Sequence, residues 1–326
     1  MSKNYLLEIP ATSANMGPGF DSFGIALQLY NTFAFRPLEK KNRLVFSANF
    51  LPKQNSKSNL IYQAYLHTLK AINYKSVPGI EIIASSEIPS ARGLGSSATA
   101  IVAGVMAAGV LSDTNLKFSE VIELATEIEG HPDNIAPAVL GGMTISMEER
   151  NYVYTEKIHW PNELAIIVAI PNIKVHTNLS RKVIPKRVPL KDAVFNIRCA
   201  SLLIASLYNK NWDSLEIALN DRLHQNQRAS LIPGLNKVLN AAKDKGALGA
   251  VLSGSGPSIL AIALNENKEV IENIKTTIKN TWKQFNIESR LKVLEVQKSS
   301  TKIKVISNEN FEEIKLKTEI KYNSNL

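Results

Sequence analysis

The sequence predicts a two-domain α+β protein, and three observations carry that reading. A chain of 326 residues exceeds the size at which one hydrophobic core usually keeps growing. Segments of alternating polar and apolar residues are interleaved with segments of helical period, which argues for sheets packed on helices in each half. A strongly apolar strand at 163–171, ELAIIVAIP, has flanks that share no chemical theme. The domain change is placed there, giving units at 1–160 and 161–326.

In chain order, alternation marks strands at LVFSANF (44–50), GIEIIASSEI (79–88) and MTISME (143–148). Helices begin at Asn59 and Ser96, and a third runs from Lys117 to Glu129. Beyond the strand at 163–171 come helices at 190–209, 212–223 and 234–245, the strand pair GAVLSGSGPSILAIAL, a helix from Glu266, and the strand SRLKVLEV. The tail after about residue 300 is lysine-rich with alternating isoleucines, and reads as an extra edge strand or a frayed end. No internal repeat or low-complexity segment interrupts this order.

Charge and composition narrow the partners. Lysine and arginine number 38 against 29 acids, a formal net charge of +9, which suits a small anionic ligand or a nucleic acid. The basic residues are scattered, and the densest run, SRKVIPKRVPLK, is broken by prolines and lacks aromatics. A solvated surface accounts for it, so no nucleic-acid partner is expected. No apolar run reaches the ~18 residues of a membrane span, and MSKNYLLEIP is too short in apolar residues for a secretory signal. A cytoplasmic protein without membrane contact is the expectation. Cys199 is the sole cysteine, which excludes an intrachain disulfide, and it lies in an apolar helical run as a small core residue.

The strongest chemistry lies in IPSARGLGSSATA, Ile88 to Ala100. Gly93 and Gly95 permit backbone conformations that a side chain forbids, and they lead straight into an alanine-rich helix. The unpaired N–H groups and positive dipole of that helix's first turn form an anion cradle, with the hydroxyls of Ser96, Ser97 and Thr99 as further donors or a metal contact. A Walker-type P-loop needs lysine after the last glycine, where this chain has Ser96. Gly93, Gly95 and Ala98 match the dinucleotide fingerprint, yet Asp113 follows directly on the helix rather than ending the next strand. A glycine turn capped by Ser96 with no ligand is the remaining local alternative.

On the helix ending at EGHPDN, Val121, Leu124, Ala125 and Ile128 share one face, with Glu123 and Glu127 turned away from it. Glu129 lies beside that face in the last turn, where the helix dipole disfavours a carboxylate by about 0.3–1 kcal/mol. It asks for a cation, either a neighbouring lysine or arginine or a magnesium ion that also holds phosphates. His131 has no second histidine at metal-ligand spacing, so hydrogen bonding is the expected role. A further stretch, PATSANMGPGFDSFGIAL (Pro10–Leu27), holds Asn15 and Asp21 among turn formers, and its acid would repel phosphate.

These motifs in order, PATSANMGPGFDSFGIAL, then PSARGLGSSAT, then LSGSGPSILA at 252–261, resemble the GHMP superfamily of small-molecule kinases: galactokinase, homoserine kinase, mevalonate kinase and phosphomevalonate kinase. The first motif is similar to that of the homoserine kinase family, as are EGHPDNIAPAVLGG, HTNLSRKVIPKRVPLKDAVFN and DRLHQNQRASLIPG. The resemblance runs to about residue 298. It implies a two-domain fold, an N-terminal unit like ribosomal S5 domain 2 and a C-terminal ferredoxin-like unit. It also implies ATP-dependent phosphorylation of the side-chain hydroxyl of L-homoserine, in threonine biosynthesis.

Carried onto this chain, the resemblance places ATP on Pro89, Ser90, Ala91, Arg92, Gly93, Leu94, Gly95, Ser96, Ser97, Ala98 and Thr99, with Asn59 near the adenine. Mg²⁺ falls to Ser97 and Glu129, with Glu127 as the alternative carboxylate. Asp21 with Asn15 would hold the substrate ammonium, Arg181 and Arg228 its carboxylate with Thr177 assisting, while His131 and Gly254 complete the substrate contacts. Asn134 would orient the hydroxyl, and Asp133 stands where some relatives carry a catalytic aspartate, as a base or a positioning group. A homodimer is the family expectation. The rival within the same resemblance is another acceptor, such as mevalonate; both arginines also allow plain surface ion pairs.

Overall fold

The computed structural model describes residues 3–49, 59–150 and 152–324. The chain opens with β1 (Asn4–Ala14), β2 (Phe23–Leu38) and β3 (Leu44–Ala48), then α1 (Leu60–Ala71), β4 (Gly79–Ser86), α2 (Ser96–Leu111), α3 (Phe118–Glu129) and α4 (Ile135–Leu140). Next come β5 (Met143–Glu149), β6 (Tyr152–Ile158), β7 (Leu164–Pro171), α5 (Thr177–Lys182) and α6 (Leu190–Asn209). The remainder is α7 (Leu215–Ala218), α8 (Gln225–Arg228), α9 (Leu235–Asp244), β8 (Gly249–Leu252), β9 (Ile259–Leu264), α10 (Lys268–Lys283), β10 (Ser289–Leu294), β11 (Ile303–Ile306) and α11 (Asn308–Ser324). Phe50, the end of the expected strand 44–50, lies outside the described residues. Among those residues no helix is long and apolar enough to cross a membrane.

Two sheets result. The first has seven strands in the order β11-β1-β2-β4-β3, with β5 paired to the far end of β2 and β6 to β5. The second has four antiparallel strands in the order β10-β7-β9-β8. Only β3 and β4 run parallel, and α1 makes the crossover that parallel strands require. β1 continues through Pro10, which carries no N–H for the ladder, and the register shifts between Pro10 and Ala11. The stretch around Asn15 and Asp21 is the connection between β1 and β2, so it projects from the end of a hairpin anchored in the sheet.

One face of the first sheet presents Leu7, Ile9, Phe33, Phe35, Ile80 and Ile82 to α1 and α2, which supply Ile61, Tyr65, Ile101 and Val105. Each such side chain contributes about 1.5–3 kcal/mol by leaving water. A second core joins the halves: Phe23, Ile25 and Leu27 of β2 pack with Ile166 and Val168 of β7, Leu260 and Ile262 of β9, and Leu203 and Leu207 of α6. The opposite face of the second sheet packs on α9 and α10, with Trp282 fully buried. The shared core fixes the β1–β2 loop against the C-terminal half, which is what assembles the site.

The extra edge strand expected in the tail is present as β11, which pairs with β1, Leu7 opposite Ile303. Three expectations need correction. The rest of the tail is neither strand nor frayed end but α11, which lays Phe311 and Ile314 on Leu6, Ala34 and Ile83. Its isoleucines look strand-like at a period of two, but Phe311, Ile314 and buried Thr318 follow the helical period and Lys317 pairs with Glu313 one turn away. The expected helix 212–223 shrinks to a turn at Trp212–Ser214 and the short α7. Asp221 ends it, because its carboxylate accepts the N–H groups of Leu223, His224 and Gln225 and so starts α8. The strand expected at 79–88 stops at Ser86, where Asn31 Oδ1 takes the next two N–H groups, of Glu87 and Ile88.

Candidate active site

Between the two sheets lies a cleft of ≈ 460 Å³, a size that suits a small-molecule or cofactor site. The glycine loop forms one end. Buried Asn31 holds the loop's first residues through its Oδ1 and donates from Nδ2 to Thr99 Oγ1 at 2.9 Å, so it ties the loop entry to the first turn of α2. Ala91, Gly93 and Gly95 take left-handed φ values of 55°, 69° and 69°. Gly95 is the N-cap of α2 with no side-chain capping bond, which leaves the helix's first donors for a ligand. A Cβ on Gly95 would overlap Thr12 Oγ1, and one on Gly93 the Ser253 carbonyl. The cradle is therefore packed against both halves of the molecule at positions where only glycine fits.

Asn59 and every residue from Pro89 to Ser97 line the cleft. Ala98 and Thr99 do not: both are fully buried, and the Thr99 hydroxyl donates to the Ser96 carbonyl at 2.9 Å while accepting from Asn31. That corrects the expectation of a Thr99 side-chain contact, since α2 turns this hydroxyl toward the sheet. Asn59 caps α1 by accepting the Tyr62 N–H at 3.0 Å, while its Nδ2 is buried without a partner among the described residues. A buried donor left unmade costs about 1–3 kcal/mol, and a ring nitrogen of a nucleotide base would satisfy it.

Glu129, at the end of α3, accepts the Ser97 hydroxyl at 2.8 Å. Burial pushes its carboxyl above the ordinary glutamate range, against the Ser97 hydrogen bond and the charge of His131. It has no ion-pair partner among the described residues, and the local alternative of a neighbouring lysine or arginine is not met there. Glu127 is exposed outside the cleft and pairs with His67 at 2.8 Å.

Deeper in, buried Asp133 accepts from His131 Nδ1 at 2.7 Å and from Asn134 Nδ2 at 3.2 Å, and Asn134 Oδ1 accepts the Thr12 hydroxyl at 2.8 Å. Burial works against a charged His131, but the Asp133 hydrogen bond and charge outweigh it and hold the imidazole above its ordinary value of 6.5. The sign follows from linkage: a raised histidine value contributes stability that is fully present below about pH 6.5 and lost as pH climbs through the raised value. Replacing His131 by glutamine is expected to lower the melting temperature more at pH 5.5 than at pH 8.5. Thermal denaturation at both values checks this, and an equal loss would mean that the pair carries no proton-linked stability.

At the other end stand the groups expected to bind substrate. Asn15 and Asp21 both adopt left-handed φ, 72° and 56°. Asn15 is committed at both ends of its amide, accepting the Asp21 N–H at 3.1 Å and donating to the Gly254 carbonyl at 3.2 Å. Asp21 and Arg181, assigned to opposite charges of a ligand, grip each other in a bidentate pair at 2.8 and 3.1 Å. Arg228 is only 2% exposed and donates to the Gly254 carbonyl at 2.8 Å and the Ser180 carbonyl at 3.4 Å. Burial, then the nearby charge of Arg181, lowers its guanidinium to about 10, which leaves it charged at neutral pH. Thr177, the first residue of α5, and Gly254 line the same wall.

Sequence reasoning overlooked the residues that hold this fork. Phe20 lies 5.9 Å from the Arg181 guanidinium and 5.4 Å from that of Arg228, and stacks on His224 at 5.2 Å. His224 is fully buried, and burial pushes its value down, so the neutral ring donates from Nε2 to the Gly17 carbonyl at 2.8 Å and faces Arg228 with Nδ1. An aromatic beside an acid in a turn was the available signal. Thr12 gave none, because its role depends on where β1 meets the glycine loop.

A backbone cradle suited to an anion, facing a carboxylate and two guanidiniums across a two-domain α+β cleft, is the arrangement a small-molecule phosphotransferase needs. The family described as GHMP kinases N terminal domain matches residues 59–142, and GHMP kinases C terminal matches 203–284. A homoserine kinase from Clostridium beijerinckii is 41% identical over 283 residues, 86% of this chain and 93% of that protein. One from Halothermothrix orenii is 38% identical over 88% of this chain and 92% of its own length. The crystal structure of homoserine kinase from Cytophaga hutchinsonii superposes with a TM-score of 0.82 at 30% identity, covering 92% of this chain and 97% of that one. The chain belongs to the homoserine kinase family of the GHMP kinases, and its two sheets form the two-domain GHMP kinase fold.

Proposed function

We propose that this protein transfers the γ-phosphoryl group of ATP to the side-chain hydroxyl of L-homoserine, giving O-phospho-L-homoserine and ADP. The observation that carries this reading is the pairing, in one cleft, of the Gly93–Gly95 cradle with Asp21 opposed to Arg181 and Arg228. An acid for an ammonium and two cationic forks for a carboxylate describe an amino-acid substrate. Mevalonate has a carboxylate but no ammonium, and a sugar has neither.

In the transfer, the homoserine oxygen bonds to the γ-phosphorus while the bond to the bridging oxygen breaks, its electron pair staying on ADP. A loose transition state keeps the hydroxyl proton in place until late, when it passes to solvent, so positioning outweighs a strong base. Asn134 Oδ1, already accepting from Thr12, keeps a second lone pair for the hydroxyl proton. Asp133, with its charge balanced by His131, positions Asn134 through the 3.2 Å bond. Ser97 and Glu129 are suited to hold Mg²⁺, whose charge would offset that developing on the phosphates. A homodimer is proposed on the family resemblance and on the outward pole of α6, where Leu190, Ile197 and Tyr208 are 79%, 65% and 88% exposed. Sedimentation of the purified chain tests it.

ADP release measured in parallel with homoserine, mevalonate, galactose and threonine tests the activity; turnover of another acceptor without homoserine would overturn it. Glu129 gives a further expectation. A carboxyl raised by burial opposes folding once pH exceeds about 4.5, so Glu129→Gln should melt about 1–3 °C higher at pH 7.5 without ligands. The same variant should lose most of the stabilisation that wild type gains from MgATP. An unchanged MgATP stabilisation would remove Glu129 from the metal site.

A further inference from the structure

The transferred phosphoryl group gathers negative charge, and the glycine loop supplies no lysine to meet it, since Ser96 stands where a P-loop has one. Among the described residues, six side chains able to carry positive charge line the cleft: Arg92, His131, Lys174, His176, Arg181 and Arg228. Four are committed. Arg92, although within the loop, turns back to donate from Nε to the Pro171 carbonyl at 2.9 Å and from Nη1 to the Ser90 carbonyl at 3.3 Å. His131 is bound to Asp133, Arg181 to Asp21, and Arg228 to the Gly254 carbonyl. Only Lys174 and His176 have no side-chain hydrogen bond or ion pair among the described residues.

The backbone separates these two. The Val175 N–H donates to the Ala91 carbonyl at 3.2 Å, strapping the segment between β7 and α5 to the phosphate loop. The bonded N–H belongs to the Lys174–Val175 peptide, which puts Lys174 at the strap, whereas His176 is the N-cap residue of α5 next to Thr177. Lys174 is exposed, so its long side chain keeps the freedom to reach a phosphate held by that loop.

We propose that Lys174 is a catalytic residue of the phosphotransferase reading above, on which this inference rests. Its ammonium contacts the γ-phosphoryl oxygens from the C-terminal wall and neutralises the charge that builds on them and on the bridging oxygen during transfer. From the segment after β7 it supplies the cation that the glycine loop does not itself carry.

The test compares Lys174→Ala and Lys174→Arg with wild type in steady-state kinetics and in direct binding of ATP and ADP with magnesium present. Loss of one charge-stabilising donor at an exposed wall is expected to lower kcat about 30-fold, below the 10²–10³ seen for enclosed sites. ATP binding should weaken about 10-fold, ADP binding should change less than about twofold, and KM for homoserine should hold. Lys174→Arg should recover most of kcat, because the charge is kept. A kcat within about threefold of wild type overturns the proposal. So does an equal loss of ATP and ADP affinity, which marks a merely structural role. If wild type does not phosphorylate homoserine, the acceptor assignment fails, while the contrast between ATP and ADP still decides Lys174.

Discussion

Arg228→Leu is expected to lower kcat/KM for homoserine by about 10²–10³, which corresponds to ~3–4 kcal/mol of lost transition-state binding. The magnitude follows from burial. At 2% exposure Arg228 has lost nearly all of its hydration, and it is held by two carbonyls, a neutral histidine and an aromatic face rather than by a carboxylate. A cation with no counter-charge in direct contact is poised for an anionic ligand, and a substrate carboxylate would relieve its repulsion from Arg181. Arg228→Lys should restore little, because one ammonium cannot span both carbonyls and the carboxylate as a planar fork does. ATP affinity should stay within about threefold for both variants. A parallel collapse of ATP binding, measured by calorimetry, would show that Arg228 holds the domains together rather than the substrate.

Gly95→Val should instead abolish ATP binding. A side chain at φ 69° costs about 1–2 kcal/mol by itself, and the added Cβ overlaps Thr12 Oγ1. Moving Thr12 also breaks its 2.8 Å bond to Asn134, so the groups for the nucleotide and for the acceptor hydroxyl are disturbed together. The pair allows a double-mutant test: Gly95→Ala in a Thr12→Ala background should recover part of the ATP affinity that Gly95→Ala loses alone, but not all of it, because the backbone strain remains. Full recovery would mean that steric overlap is the whole effect; no recovery would mean that the two residues are not coupled. Titration of ATP into the three variants checks this.

The local features of the site were legible because they are written in short runs. Gly93, Gly95 and the helix from Ser96 suggest an anion cradle within a few residues, whereas helical phase set Glu129 beside the apolar face and still left Glu127 as an alternative that only the fold turns out of the cleft. Contacts across the chain were not legible. Thr99 looked like one more hydroxyl of the cradle, and only the position of Asn31, 68 residues away, shows that it faces inward. Asp21 and Arg181 could be assigned to opposite ends of a substrate, but not seen to pair with each other across 160 residues. The tail was half legible: the edge strand is there at Ile303–Ile306, while the lysine-rich run after it is a helix because Phe311 and Ile314 find the outer face of the first sheet.

The sequence by itself determined which groups are present and what each can do: a glycine loop suited to an anion, an acid in a turn that phosphate would avoid, two arginines suited to a carboxylate, and a half-buried glutamate in want of a cation. The tertiary structure alone decided which of them act together. Side-chain chemistry is local, whereas a site is a set of distances between distant segments. Here those distances are fixed by the apolar core shared between β2, β7 and β9, which presses the β1–β2 loop, the glycine loop and the Gly254 turn into one cleft.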